Sequence, residues 1–259
     1  EEDIKHVKYQ YELMNAIYLD HCGDLDQASV HLQNALDVAE LINDKDAIAK
    51  TKHELAINFG RRGDMVHAEY YSNQAMDWYK KKGDRLKLEG TRANLAGMYL
   101  QSGEFQKVID LGNNSLQFFE NIKNENWISS LCHNLSEAHF ELGNIEEAET
   151  LAHRVLQIED SFNRPYAMYT LGMIYESRDE NNQAMKSFEH GIDVATQMND
   201  LFIEAYLNRA LGSLLAKLDH AEKAAEYLLL SKDRFESMSL FEEAKVTQNL
   251  LNEFNLVKA

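Results

Sequence analysis

The residues in this chain that could do chemistry are scattered histidines, adjacent acids, two cysteines and a set of tyrosines and asparagines. Ten histidines are spread over 259 residues, and His133 and His139 share a helix but stand six apart. That spacing does not turn two imidazoles onto one face for a single metal ion. Adjacent acids such as Glu146 and Glu147 point apart on a helix, whereas acid–base catalysis needs convergent groups. No HExxH, Walker A, GxSxG or GxGxxG stretch occurs. The pattern predicts no enzyme, with no catalytic residue, metal or cofactor. Cys22 and Cys132 lie far apart without a CxxC. They are expected to form no disulfide, to pack as small hydrophobes and to belong to a reducing compartment. What remains is recognition chemistry. Asn94 and Asn134 stand 40 residues apart, each just before a leucine. An asparagine side chain can pair with both the donor and the acceptor of an extended backbone.

The elements that would position these groups recur along the chain. With Gly23, Gly63, Gly103, Gly143, Asp179 and Asp219 as anchors, the spacings are 40, 40, 40, 36 and 40 residues. Five residues after each anchor stand Ala28, Ala68, Val108, Ala148, Ala184 and Ala224. Seven further on stand Ala35, Ala75, Ser115, Val155, Gly191 and Ser231. Seven before each anchor stand Ala16, Ala56, Ala96, Ser136, Gly172 and Gly212. Small side chains are needed where helix axes approach closely. Large residues recur beside them, as Leu55, Leu95, Leu135, Leu171 and Leu211, with Asn15 breaking the rule in the first copy. Offsets of three, four and seven describe one buried stripe per helix. Each copy is therefore read as two antiparallel helices meeting at the anchor. A lone pair cannot bury both faces, so neighbours must stack.

Composition agrees. The chain is 44% hydrophobic and 27% charged, with 12 glycines and one proline, which suits a nearly all-helical protein. A formal net charge of −17 repels nucleic acid and anionic membranes. No apolar run is long enough to cross a bilayer. Part of the acidity has a local cause, because Asp24, Asp64, Glu104, Glu146, Glu180 and Glu222 fall near expected helix starts, where negative charge suits the macrodipole. The one irregularity is the shortened interval around residues 159–168. Its Pro165 is expected to open a helix after a tighter turn, with a change of stacking angle as the alternative.

Stretches such as "LAINFGRRGDMVHAEYYSNQA" (55–75), "LAGMYLQSGEFQKVIDLGNNS" (95–115) and "LGMIYESRDENNQAMKSFEHG" (171–191) resemble the tetratricopeptide repeat. The match is to that family's small–aromatic–small scheme. The unit departs from the family's common form in being longer, with 40 residues, and in lacking the closing proline. Longer units are similar to those of bacterial sensor arms, including the maltose-regulon activator type and Gram-positive peptide-pheromone receptors, and to those of animal spindle-orientation adaptors. The resemblance implies an all-α, right-handed α-solenoid of about six helix hairpins with a C-terminal capping helix over 241–259. The whole of 1–259 would be one such domain.

In such solenoids the first helix of each hairpin lines the concave wall. Counting inward positions on that basis selects His53, His133, Glu137, Tyr166, Tyr169, Met173, Tyr206 and Arg209 as ligand contacts, and the in-register Asn94 and Asn134 are added to them. Leu13, Lys50 and Ala93 fall on the same wall. Peptide-binding relatives use in-register asparagines there. The family's carboxylate clamp needs a lysine at the fifth position, where this chain has Leu13, His53, Ala93, His133, Tyr169 and Arg209, so chaperone-tail binding is not expected. The resemblance implies a peptide- or protein-binding sensor domain of a larger, bacterial, cytoplasmic regulator of signalling or transcription. Nucleic-acid contact would belong to another part of that protein. An assembly scaffold that self-associates, as a homodimer for example, is the alternative. Response-regulator phosphatases carry similar repeats behind a helical bundle that this chain has no room for.

Overall fold

The computed structural model describes residues 2–256, and every element among them is an α-helix. The chain divides into two compact units, Glu1–Trp127 and Ile128–Ala259. The first holds α1 (Glu2–His21), α2 (Leu25–Leu41), α3 (Lys45–Arg61), α4 (Met65–Lys82), α5 (Arg85–Gln101) and α6 (Phe105–Asn121). The second holds most of α7 (Glu125–Glu141), then α8 (Ile145–Leu156), α9 (Arg164–Ser177), α10 (Asn181–Met198), α11 (Leu201–Lys217), α12 (Ala221–Ser237) and α13 (Phe241–Glu253). Each unit is a stack of helix hairpins of the α-solenoid kind. The last residues of the expected capping helix, 257–259, lie outside the described residues.

The anchors act through their backbone. All six have positive φ, from 59° at Asp179 to 84° at Gly23. Glycine takes this left-handed region without a Cβ penalty, and aspartate is among the few other residues that tolerate it. The reversal lets the next amide return to the helix it has just left. Asp64 N donates to Phe59 O, Glu104 N to Tyr99 O and Glu180 N to Tyr175 O, each at 2.9 Å. These bonds close Schellman-type ends on the helix carbonyls. The same turn recurs between hairpins at Asn43, Gly83, Lys123, Asn199 and Ser239. The following helix is then capped by a carboxylate: Asp24, Asp44, Asp64, Asp84 and Asp200 each accept a backbone N–H of the first turn. Such a cap contributes about 1 kcal/mol. Glu104 and Glu180 stand at the same place without that bond.

The small residues do what their size requires. All eighteen repeat positions are buried. At Gly172 an added Cβ would lie 2.2 Å from the Phe188 ring, and at Gly191 it would lie 2.8 Å from Leu207. Helix α9 can approach α10 that closely only without a side chain at the crossing. Ser136 Oγ donates to Ala148 O at 2.7 Å, so one small pair is also a hydrogen bond between α7 and α8. Within each unit the first helices of successive hairpins touch, as α1–α3 and α3–α5 do, and as α9–α11 does. Among the described residues no such contact joins successive second helices. The first helices therefore lie on the inner side of each stack.

Three details depart from the sequence reading. The connection after α8 is not a tighter turn. It runs over residues 157–163, while α8 has 12 residues and α9 has 14, against 17 or 18 in the helices flanking them. No residue in that connection has positive φ, so the compact three-residue reversal is absent and the helix ends unwind instead. Pro165 does sit in the first turn of α9. Cys22 is exposed rather than packed, because it follows the last turn of α1 at a hairpin tip, whereas Cys132 is buried. Leu13 and Ala93, placed on the ligand wall by counting, are buried core residues, 1% and 3% exposed, turned toward the neighbouring helices.

Candidate functional site

In the first unit the inner faces of α3 and α5 enclose a pocket of about 270 Å³. Lys50, His53 and Glu54 line it from α3; Leu86, Lys87, Gly90, Thr91 and Asn94 from α5; Tyr79 and Trp127 close it. Gly90 leaves the space open, since a Cβ there would stand 3.4 Å from the indole. Trp127 stacks on Phe119 with ring centroids 5.1 Å apart, which fixes the wall it forms. Lys87 sits 5.5 Å above the Tyr79 ring and 3.7 Å from Asp84.

The polar groups of this pocket are incompletely satisfied. Asn94 Nδ2 lies 3.3 Å from His53 Nε2, and His53 Nδ1 is buried with no hydrogen-bond partner. Burial drives the imidazole pKa down to about 4, so it is neutral near pH 7. Burial also raises the Glu54 carboxyl, a shift that Lys50 partly offsets. A neutral imidazole, an amide, two ammonium groups and an indole face converge on one cavity. That set can hold a polar backbone or a carboxylate beside an apolar side chain.

The inner face of the second unit is built from larger side chains, and they engage one another. His133 and Tyr166 have ring centroids 5.2 Å apart. Tyr166 Oη donates to Asp200 Oδ2 at 3.0 Å, and burial, reinforced by that carboxylate, pushes the phenol up. Tyr169 meets Tyr206 edge-on at 6.4 Å, and Tyr206 meets Phe235 at 5.0 Å. Arg209 lies over the Tyr206 ring at 4.7 Å and pairs with Glu243 at 2.6 Å. Burial and then Glu243 raise the Tyr206 phenol to about 12. His133 repeats the state of His53: burial lowers it to about 4, and its Nδ1 has no partner. Glu137 lies 3.8 Å from His133 Nε2 and is raised by burial, with Glu141 adding to the shift. Asn134 and Met173 are half-buried on the same helices.

Of the residues selected from sequence, His53 and Asn94 meet in the first unit. Tyr166, Tyr169, Tyr206 and Arg209 meet in the second, with His133 and Glu137 beside them. The counting missed Glu54, Lys87, Gly90 and Trp127. Gly90 carried a readable signal. Its repeat equivalents are Lys50, Ser130, Tyr166 and Tyr206, so a glycine stands where two tyrosines stand later. Among the described residues no cluster of His, Cys, Asp or Glu is arranged to hold a metal ion, and no helix is long and apolar enough to cross a membrane.

Residues 129–159 and 165–197 each match a tetratricopeptide-repeat family. No curated protein matches the chain in sequence. Solved structures share its fold. A Rap protein complexed with competence and sporulation factor is 18% identical, with a TM-score of 0.67 over 96% of this chain and 75% of that one. A signal-transduction ATPase with a tetratricopeptide-repeat sensor, from Pyrococcus horikoshii, is 18% identical, with a TM-score of 0.68 over 87% of this chain and 34% of that one. Aspartyl phosphate phosphatase F from Bacillus subtilis is 12% identical, with a TM-score of 0.69 over 99% of this chain and 72% of that one.

Proposed function

We propose that this chain, a tetratricopeptide-repeat protein of the all-α solenoid kind, is the peptide- or protein-binding sensor domain of a larger bacterial regulator. Residues 1–259 act as one repeat array in the cytoplasm and hold the ligand on first-helix faces. The observation that carries this reading is the pocket between α3 and α5, where the buried Nδ1 of His53 lacks a partner beside Asn94, Lys50, Lys87 and Trp127. With the Asn94 amide donating to Nε2, the neutral ring carries its proton on Nδ1. Leaving that buried N–H unpaired costs about 1–3 kcal/mol, which a ligand acceptor such as a backbone carbonyl would recover. A Rap conjugation regulator solved in complex with the Phr* peptide supports the ligand class by analogy of fold, and the tetratricopeptide-repeat sensor of the signal-transduction ATPase supports the sensor role in the same way.

A displayed library of random decapeptides, selected on the folded chain, tests it. Enriched peptides should lose affinity at least ~10-fold, about 1.4 kcal/mol, on Trp127→Ala and on His53→Ala. They should bind unchanged to Tyr70→Ala, whose side chain is exposed on α4. Peptides indifferent to both inner-face changes, or no enrichment at all, would remove the reading.

A further inference from the structure

The shortened interval between the fourth and fifth anchors carries a cavity away from the inner face. Helix α9 packs on both α8 and α10. Helix α8 stops at Leu156, the chain unwinds over residues 157–163, and a cavity of about 290 Å³ opens between the three helices. His153 borders it from α8, Arg164 from α9, and Lys186 and His190 from α10. Its apolar lining includes Met168 and Leu171, both buried. No aspartate or glutamate lines it. In a chain with 43 acids against 26 lysines and arginines, that is a local inversion of charge.

The cations there are not consumed by ion pairs. Among the described residues Arg164, Lys186 and His190 have no carboxylate partner. Arg164 Nη1 donates to Glu159 O at 2.8 Å, and its Nε is buried with no hydrogen-bond partner. Glu149 approaches His153 at 3.9 Å but is held by Arg178 at 2.8 Å. An adjoining cavity of about 630 Å³ shares Arg164 and His190, and Glu159, Asp160 and Asp193 border that one. The acids are thus confined to one cavity, and the other is left basic.

Helix packing alone does not call for these side chains. The positions equivalent to Arg164 in the three preceding hairpins are Ile48, Leu88 and Ile128. Those equivalent to Lys186 are Val30, Tyr70, Asp110, Thr150 and Glu226. A guanidinium replaces an aliphatic side chain, and the one lysine of its series borders the same cavity. Partly desolvated charge without a partner costs free energy that an anion would offset.

We propose that this cavity binds a phosphate monoester carried on an apolar group, with its oxygens on Arg164, Lys186 and the two imidazoles and its body on Met168 and Leu171. Arg164 and Lys186 supply two positive charges, which match the about 1.5–2 negative charges of a phosphate monoester better than the single charge of a carboxylate. A guanidinium also forks onto two oxygens of one phosphate. The net charge of −17 opposes an anion from afar, but charges beyond ~8 Å are screened at physiological salt.

Isothermal titration calorimetry of the 259-residue chain with phenyl phosphate tests the site. Phenyl phosphate should bind saturably. Benzoate lacks the second charge and inorganic phosphate lacks the apolar body, so each should bind at least ~10-fold more weakly. Arg164→Lys keeps the charge but removes the fork, and Lys186→Gln changes an exposed side chain on α10. Each should weaken phenyl phosphate at least ~10-fold with unchanged circular dichroism. Lys223→Gln removes an exposed lysine from α12 and should leave the affinity unchanged. A glycine peptide with a central phosphotyrosine separates two sources of the group. Tighter binding than phenyl phosphate assigns it to a protein segment, equal or weaker binding to a small molecule, and the site stands in both cases. No binding of phenyl phosphate, equal affinity for benzoate or inorganic phosphate, or equal losses in Lys186→Gln and Lys223→Gln overturns the proposal.

Discussion

The inner faces of the two units use one repeat pattern and arrive at opposite surfaces. In the first unit the position thirteen before the anchor of the third hairpin is Gly90, and a pocket opens over it. In the second unit the same position is Tyr166 and then Tyr206; Tyr166 donates a hydrogen bond to Asp200, and the Tyr206 ring meets Phe235 edge-on. A buried ring nitrogen lacks a partner on both faces, Nδ1 of His53 in the first and of His133 in the second. The faces differ in space: a pocket stands beside His53, and the Tyr166 ring stands beside His133. The repeat fixes where a side chain points; its volume decides whether the face opens a pocket or closes on itself.

The largest expected effect lies at the closest approach in the second unit. Gly172→Ala would drive a Cβ into the Phe188 ring, 2.2 Å away as the ring now stands. Overpacking of this kind should cost about 2–3 kcal/mol, read as a lower urea midpoint at unchanged slope. A neutral result would mean that Phe188 swings aside freely and that small residues at the crossings are a weaker constraint than the packing implies.

Next comes acid sensitivity. His53 and His133 are held near 4 by burial, below their ordinary value of 6.5. Between those values the unfolded chain binds more protons than the folded one. Their neutral burial is therefore tolerated without penalty above about pH 6.5, and stability is lost as pH falls toward 4. Glu54 and Glu137 are raised by burial and work in the opposite sense, gaining stability as they take up protons. His53→Gln and His133→Gln should each flatten the melting temperature between pH 7 and 4, by the equivalent of about 1–2 kcal/mol. Equal slopes in wild type and variants would show that the imidazoles are solvated.

Arg209→Ala tests how firmly the second face is closed. It removes the Glu243 pair and the contact with the Tyr206 ring, and should cost about 1 kcal/mol in chemical denaturation. The smallest effect, and the one of opposite sign, belongs to Gly90→Ala. Its Cβ would meet Trp127 at 3.4 Å, an ordinary contact, so the loss of glycine from a helix interior should stabilise by about 0.5–1 kcal/mol. Gly90→Leu, by contrast, should fill the pocket and abolish peptide binding while the fold persists. A pair of variants that separates stability from binding at one residue would sharpen the contrast between the two faces.

Much of the architecture was readable from residue types alone. The anchors, the eighteen small positions and the hairpin boundaries follow from offsets of three, four and seven, because helix packing repeats with the helical turn. Left-handed turns at Gly23, Gly63, Gly103 and Gly143 follow from the same glycines, since few other residues adopt that backbone readily. The candidate site was less legible. Counting placed Leu13 and Ala93 on the ligand wall when both are core, because a helix also rotates to bury its best-packing stripe. It passed over Trp127, which reaches the pocket from the first turn of α7, in the next hairpin.

By itself, then, the sequence determined the period, the helices, their turns and the close crossings, all of which depend on contacts only a few residues apart or repeated at a fixed interval. Only the tertiary structure decided which inner face opened a pocket and that Nδ1 of His53 and of His133 would be buried without a partner. Those outcomes depend on the volumes and hydrogen bonds that distant segments bring to one place, and no local pattern encodes that sum.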